Sequence, residues 1–234
     1  MKPLAIPHAD DKVGLKIDFL AKRLALVLAP YGFKRKGRML LARAGEGREE
    51  HWCIVHLQAG QWNEGPRGEF FVNLVLQFPD LIRLRAQSPG SEWLLEYVDK
   101  PDAAARSISE RLESLVARLP EGNPHAALSM KIGRDTDLAK RADTLDAAVL
   151  GVGLPWLQAH GSLRALADFS GSLIACDVPT RIASAVLLGD RNAAQHIVTS
   201  CSAHFANWTA PGLKTLRTWL EGLGLDVSAL PAQP

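Results

Sequence analysis

Lys34, Lys36 and Arg38 recur at every second position of the segment KRKGR. On an extended chain that spacing puts three cations on one face. Such a face donates charge-assisted hydrogen bonds to phosphates or to an acidic protein surface. The same residues also serve to solvate an edge strand and keep it from pairing with another chain. A second set, Gln58, Trp62, Asn63 and Asn73, is of a different kind. Its amides sit in or beside strongly apolar strands, where an unpaired amide is expensive, so Gln58 and Asn73 must each find partners. Two arrangements meet that demand. The amides bond the backbone of the turn around Gly60–Gly68, or they line a groove with Trp62.

Covalent and metal chemistry find less support. His51 and His56 fall on opposite faces of a regular strand. His196 and His204, with Cys201 between, lack a carboxylate at matching positions, which is poor zinc geometry. Ser170–Gly171–Ser172 and Thr199–Ser200 have no nucleophile elbow, and Gly151–Val152–Gly153 lacks the third glycine and the preceding strand of a dinucleotide loop. Glu110 and Glu113 lie close to Arg106 and Arg111 and read as a salt-bridged surface rather than an acid–base pair. Asp135, Asp137 and Asp143 read as charges on or near a helix start at Thr136. Cys53, Cys176 and Cys201 are an odd number without paired spacing, as expected of reduced thiols in apolar surroundings. No catalytic residue, metal or cofactor is implied.

The chain has 234 residues, 47% apolar and 22% charged, ordinary for a soluble globular protein with a substantial core. A net charge of +2 implies neither a nucleic acid nor a membrane, but its distribution is uneven. Between Ala21 and Arg43 there are seven basic residues and no acidic one. The first residues carry no signal-peptide pattern, and no stretch approaches the roughly 20 apolar residues of a membrane helix. A cytoplasmic protein of bacterial type, without a membrane partner, is expected.

Several elements must position these residues. Asp10 or Asp11 is placed to cap a helix through Leu15, Phe19, Leu20, Leu24, Val27 and Leu28, ended by Pro30 and Gly32. Phe33–Ala44 reads as one strand, with Gly37 as a bulge or a close backbone approach. His51–Ala59 and Glu69–Phe78 follow as strands, giving an antiparallel meander. Trp93–Val98 reads either as a fourth strand or as a helical turn. Asp102–Leu119 has the clearest helical stripe, formed by Ile108, Leu112, Leu115, Val116 and Leu119. Pro120, Gly122 and Pro124 mark the expected boundary between residues 1–122, an α+β domain, and residues 123–234, a helical region. That region holds helices over Thr136–Leu150, Pro155–Phe169, Thr180–Phe205 with a break near Gly189, and Leu213–Leu223, then a frayed tail over Leu230–Pro234.

The ordered segments YGFKRKGRMLLAR, WCIVHLQAGQWN and FFVNLVLQF resemble the bacterial family called domain of unknown function 4304 over roughly Lys12–Leu119. The match rests on Gly32, Phe33, Lys34, Lys36, Gly37, Arg38, Gln58, Trp62, Asn63, Phe71, Asn73 and Leu74. It departs at Ala59 and Val75. The resemblance implies an α+β domain with an antiparallel sheet of three to four strands and no particular reaction. The expectation is a non-enzymatic protein-interaction or binding module, of the immunity type by analogy of fold. Its partner would be another protein, with Lys34, Lys36, Arg38, Gln58, Trp62 and Asn73 as contacts. The alternative is a nucleic-acid-binding or processing protein using residues 34–38.

Overall fold

The first helix, α1 (Val13–Leu28), follows the apolar spacing of the sequence. Val13, Ile17, Leu20, Ala21, Leu24 and Leu28 are all buried, whereas Leu15 is exposed. Neither aspartate caps it. Lys12 is the N-cap and makes no side-chain bond, and the Val13 N–H is taken instead by the Gly65 carbonyl at 2.8 Å. Asp10 pairs with Arg134 (2.9 Å) and Asp11 accepts from the His8 N–H (2.8 Å). The molecule is described by a computed structural model covering residues 4–231.

The basic segment is a hairpin rather than one strand. β1 (Lys34–Lys36) turns back into β2 (Met39–Ala44), with Lys36 paired to Met39. Gly37 and Arg38 form the two-residue turn, and φ of +62° at Gly37 is the left-handed value that such a turn needs at its first position. β3 (His51–Ala59), β4 (Gly68–Gln77), β5 (Ile108–Arg111) and β6 (Lys131–Ile132) complete a six-stranded sheet of order β1-β2-β3-β4-β5. β6 also pairs with β4, through Gly68↔Ile132 and Glu69↔Lys131.

The expected helix over Asp102–Leu119 is broken in three. A 3-10 turn at Ala103–Ala105 is capped by Asp102, β5 follows, and only Leu112–Val116 forms a helix, α3. Ile108, Leu112 and Val116 are buried. Their four-residue spacing is an even number, so it suits one face of a strand as well as one face of a helix. The edge of β4 recruits the first part of the stripe. Trp93–Val98 resolves as a 3-10 turn, Glu92–Tyr97.

The chain divides into two compact units that alternate in sequence. The first comprises the described residues through Ala44, Trp52–Leu76 and Ser109–Ala159, and it holds α1 and the body of the sheet. To these it adds α3, α4 (Leu138–Ala148), a π-helical turn at Val149–Gly153, and α5 (Leu154–Ala159). The expected boundary at residues 120–124 falls inside this unit. Gly151 and Gly153 do not end a helix; the helix runs through them. A Cβ at Gly151 would stand 2.5 Å from His125 Nε2, so the glycine admits a close approach.

The second unit comprises Gly45–His51, Gln77–Ile108 and the described residues from His160 onward. Its helices are α2 (Pro79–Arg85), α6 (Leu163–Ala167), α7 (Val178–Leu187), α8 (Arg191–Ser200) and α9 (Ala210–Gly222). The break at Gly189 is as expected, with φ of +75° there and Asp190 capping α8. Residues 232–234 of the expected frayed tail lie outside the described residues. Leu230, by contrast, is buried, and Arg217 donates to the carbonyls of Leu230 and Pro231 at 3.0 and 2.6 Å. The fold is α+β with an antiparallel sheet and a helical C-terminal region.

Candidate functional site

The loop between β3 and β4 lies in the first unit, and its backbone is fastened at successive points. Asn63 spans Glu69, its Nδ2 donating to the Glu69 carbonyl and its Oδ1 accepting the Glu69 N–H, both at 2.8 Å. Glu64 and Arg67 exchange two backbone bonds of 3.1 Å. The Gly65 carbonyl takes the Val13 N–H, as described above. Lys16, only 1% exposed, reaches from α1 with its ammonium and donates to the carbonyls of Ala9 (2.7 Å), Pro66 (3.3 Å) and Gly133 (3.1 Å). A buried lysine is tolerated because each of its N–H groups has an acceptor. Gly68 is required next to this clamp, since a Cβ there would lie 2.2 Å from Asn63 Oδ1.

On this fixed backbone stands Trp62, 83% exposed. It forms one wall of a groove of about 550 Å³, together with Asn63, Arg67, Lys131, Thr136 and Arg141. Glu69 is the one acidic residue in the lining, so the groove is net cationic. Arg141 is steered by a hydrogen bond from Nη1 to the Ser129 carbonyl, and burial lowers its pKa from the usual arginine value. A cationic groove beside an exposed indole suits a ligand that brings an apolar or aromatic group together with carboxylates or phosphates.

The remaining candidates are distributed as follows. By strand pairing, Lys34 faces with Leu41 and Lys36 with Met39, which puts both lysines on the sheet face that carries Arg43. On that face Arg43 lies 4.6 Å from the centre of the Trp52 ring, and Arg111 lies 4.2 Å from that of Phe71. Gln58 and Asn73 meet there too, the Asn73 Nδ2 donating to Gln58 Oε1 at 2.9 Å. The amides therefore satisfy each other across β3 and β4. Loop backbone is satisfied by Asn63 instead.

Arg38 does not join the lysines. It lies in the turn, and its side chain runs back to α1, with Nε 2.6 Å from Asp18 Oδ1 and Nη2 donating to the Gly14 carbonyl at 3.0 Å. The three-cation face read from KRKGR is thus two lysines and a structural arginine. Sequence reasoning also missed Arg67, Lys131 and Arg141. Arg67 and Lys131 come together only because β6 pairs with β4 in that register, which no local pattern announces.

Elsewhere the ionisable groups look structural. Glu110 is on β5 and accepts from Arg118 at 2.8 Å. Burial raises the pKa of Glu113, in the first turn of α3. Asp146, on α4, is pushed up to about 6 by burial, against the pull of Arg23 at 3.2 Å. Burial pushes the Cys53 thiol up to about 11 and the Cys176 thiol to about 12, which keeps both protonated and poorly nucleophilic. Among the described residues no group of three or more His, Cys, Asp or Glu side chains is gathered for a metal, and no helix is long and apolar enough to cross a membrane. The chain matches no family model, and no curated protein or solved structure shows significant similarity to it.

Proposed function

We propose that this chain is a non-enzymatic protein-binding module whose contact surface is centred on Trp62. The observation that carries the reading is an indole 83% exposed on a loop whose backbone is pinned by Asn63, Lys16 and the start of α1. Exposing a large aromatic has no folding benefit, and holding it on a rigid support removes most of the ordering cost of a contact. The surrounding Arg67, Lys131 and Arg141 favour a partner segment with carboxylates beside an apolar anchor. The sheet face with Lys34, Lys36, Gln58 and Asn73 is a second contact surface in this proposal. Membership of the domain of unknown function 4304 family remains part of it on the sequence segments alone.

The nucleic-acid reading loses support where it was strongest. Arg38 spends its charge on Asp18, while Lys34, Arg35 and Lys36 stay exposed, Arg35 donating to the Gly37 carbonyl at 2.7 Å. The test is affinity capture from lysate of the native host, with and without nuclease. The parent chain is compared with Trp62→Ala and with Lys34→Ala/Lys36→Ala. A protein that survives nuclease and is lost with Trp62→Ala is the expected result. Nucleic acid alone, lost in the double lysine variant, would replace this reading with the alternative.

A further inference from the structure

Within the second unit, α9 presents Pro211, Thr215 and Trp219 at four-residue intervals, with Gly212 and Leu216 beside them. This face of the helix forms one side of a cavity of about 350 Å³. Arg85, Ser88, Ser91, Asp177, Pro179 and Trp208 supply the rest of the lining. The volume equals that of about a dozen liquid waters and sits at the lower end for small-molecule sites. Two indoles, two proline rings and Leu216 make its walls mostly apolar and flat.

Gly212 lies in the first turn of α9, where a Cβ would stand a close 3.3 Å from Thr209 Oγ1 and at an ordinary contact distance of 3.6 Å from the Trp208 ring. Trp208 is braced edge-on by Phe205, with centroids 5.1 Å apart. Trp219 is 4% exposed and its Nε1 donates to the Leu84 carbonyl at 3.3 Å, which fixes the second indole.

The ionised groups of the lining are already committed. Arg85 Nη2 lies 3.0 Å from Asp177 Oδ2, and its Nη1 donates to Thr180 Oγ1 at 2.8 Å. The other oxygen of Asp177 caps α7 by accepting the Thr180 N–H at 2.8 Å. The start of α9 offers an anion little, because Pro211 has no N–H and that of Gly212 is taken by Thr209 Oγ1. A charged ligand would have to break the Arg85–Asp177 pair to gain a counter-ion. The hydroxyls of Ser88, Ser91 and Thr215 remain as neutral hydrogen-bonding groups in the lining.

We infer that this cavity is a binding site for a small, flat, uncharged aromatic or heteroaromatic molecule, held between Trp208 and Trp219 and oriented by the hydroxyls. It is separate from the Trp62 surface and stands whether or not that surface binds protein.

The test uses the full chain labelled with 5-fluorotryptophan, with the two resonances assigned by Trp208→Phe and Trp219→Phe. Three probes of one ring type are titrated: 2-naphthol, 2-naphthoate and 1-naphthylmethylammonium. The expected result is saturable movement of both resonances by 2-naphthol, at least about tenfold weaker binding of the two charged probes, and loss of 2-naphthol binding in Thr215→Phe. Ser88→Phe blocks the cavity from the α2 side and is read in the same way should Thr215→Phe fail to fold. Resonances that do not move up to the solubility limit of 2-naphthol would overturn the inference. So would equal affinity for the charged probes, or unchanged binding in a folded plugged variant.

Discussion

Two hairpin ends hang from the same helix and do different things. The turn at Gly37–Arg38 is tied to α1 through Arg38, Asp18 and the Gly14 carbonyl. The loop bearing Trp62 is tied to α1 through Val13, Lys16 and the carbonyls of Gly65 and Pro66. In the first case the anchoring consumes the functional group, since the guanidinium that ties the turn is one of the three cations read as a binding face. In the second the anchoring uses backbone and a buried lysine, and the side chain left over is an indole with two torsions. An exposed residue is a good contact only when ordering it costs little. Lys34 and Lys36 would each lose several rotors on binding; Trp62 has little left to lose.

The heaviest blow to this contrast is Lys16→Met. Three carbonyls would lose a charged donor inside the first unit, at a cost of about 3 kcal/mol in urea unfolding; a loss under about 1 kcal/mol would mean the loop does not depend on α1. Trp62→Ala comes next. It should cost partner binding about 2 kcal/mol while moving stability by no more than about 0.5 kcal/mol, as titration and urea melts would report.

Asn63→Ala should destabilise by about 1 kcal/mol and speed hydrogen exchange at the Glu69 amide. Gly68→Ala should reproduce the exchange effect by displacing Asn63, and slow exchange in both variants would refute the clamp. An effect of a different kind is expected from pH. Asp146 has its pKa raised from 3.8 to about 6, so in that interval the folded chain keeps a proton the unfolded chain has lost. Stability should therefore fall as pH rises from about 4 to about 6 and then level off, and Asp146→Asn should flatten the slope. Smallest of all, Lys34→Ala/Lys36→Ala should change stability by less than about 0.5 kcal/mol and should weaken protein capture by less than Trp62→Ala does.

What could be read in advance followed from local chemistry. The spacing of Phe19, Leu20, Leu24 and Leu28 dictates α1, and Gly189–Asp190 dictates the turn between α7 and α8. Gln58 and Asn73 were expected to need partners, and they do, although each serves the other. What stayed hidden was set by distant chain. Ile108–Arg111 becomes a strand because β4 has an edge to fill, and Arg67 and Lys131 become neighbours only through the β4–β6 register. Arg38 reads as a surface cation until the turn at Gly37 aims it at Asp18.

The alternation of the two units along the chain has a bearing on how the protein is made. A ribosome that has released residues up to 108 has supplied all of α1 and four strands. It has not yet supplied β5, β6 or the Gly133 carbonyl that Lys16 needs. Until then one edge of β4 offers bare backbone to any neighbouring nascent chain. Truncation at residue 122 would leave β6 and that acceptor permanently missing. Expression of the first unit alone would require rejoining its segments in a new order of linkers rather than choosing an end point.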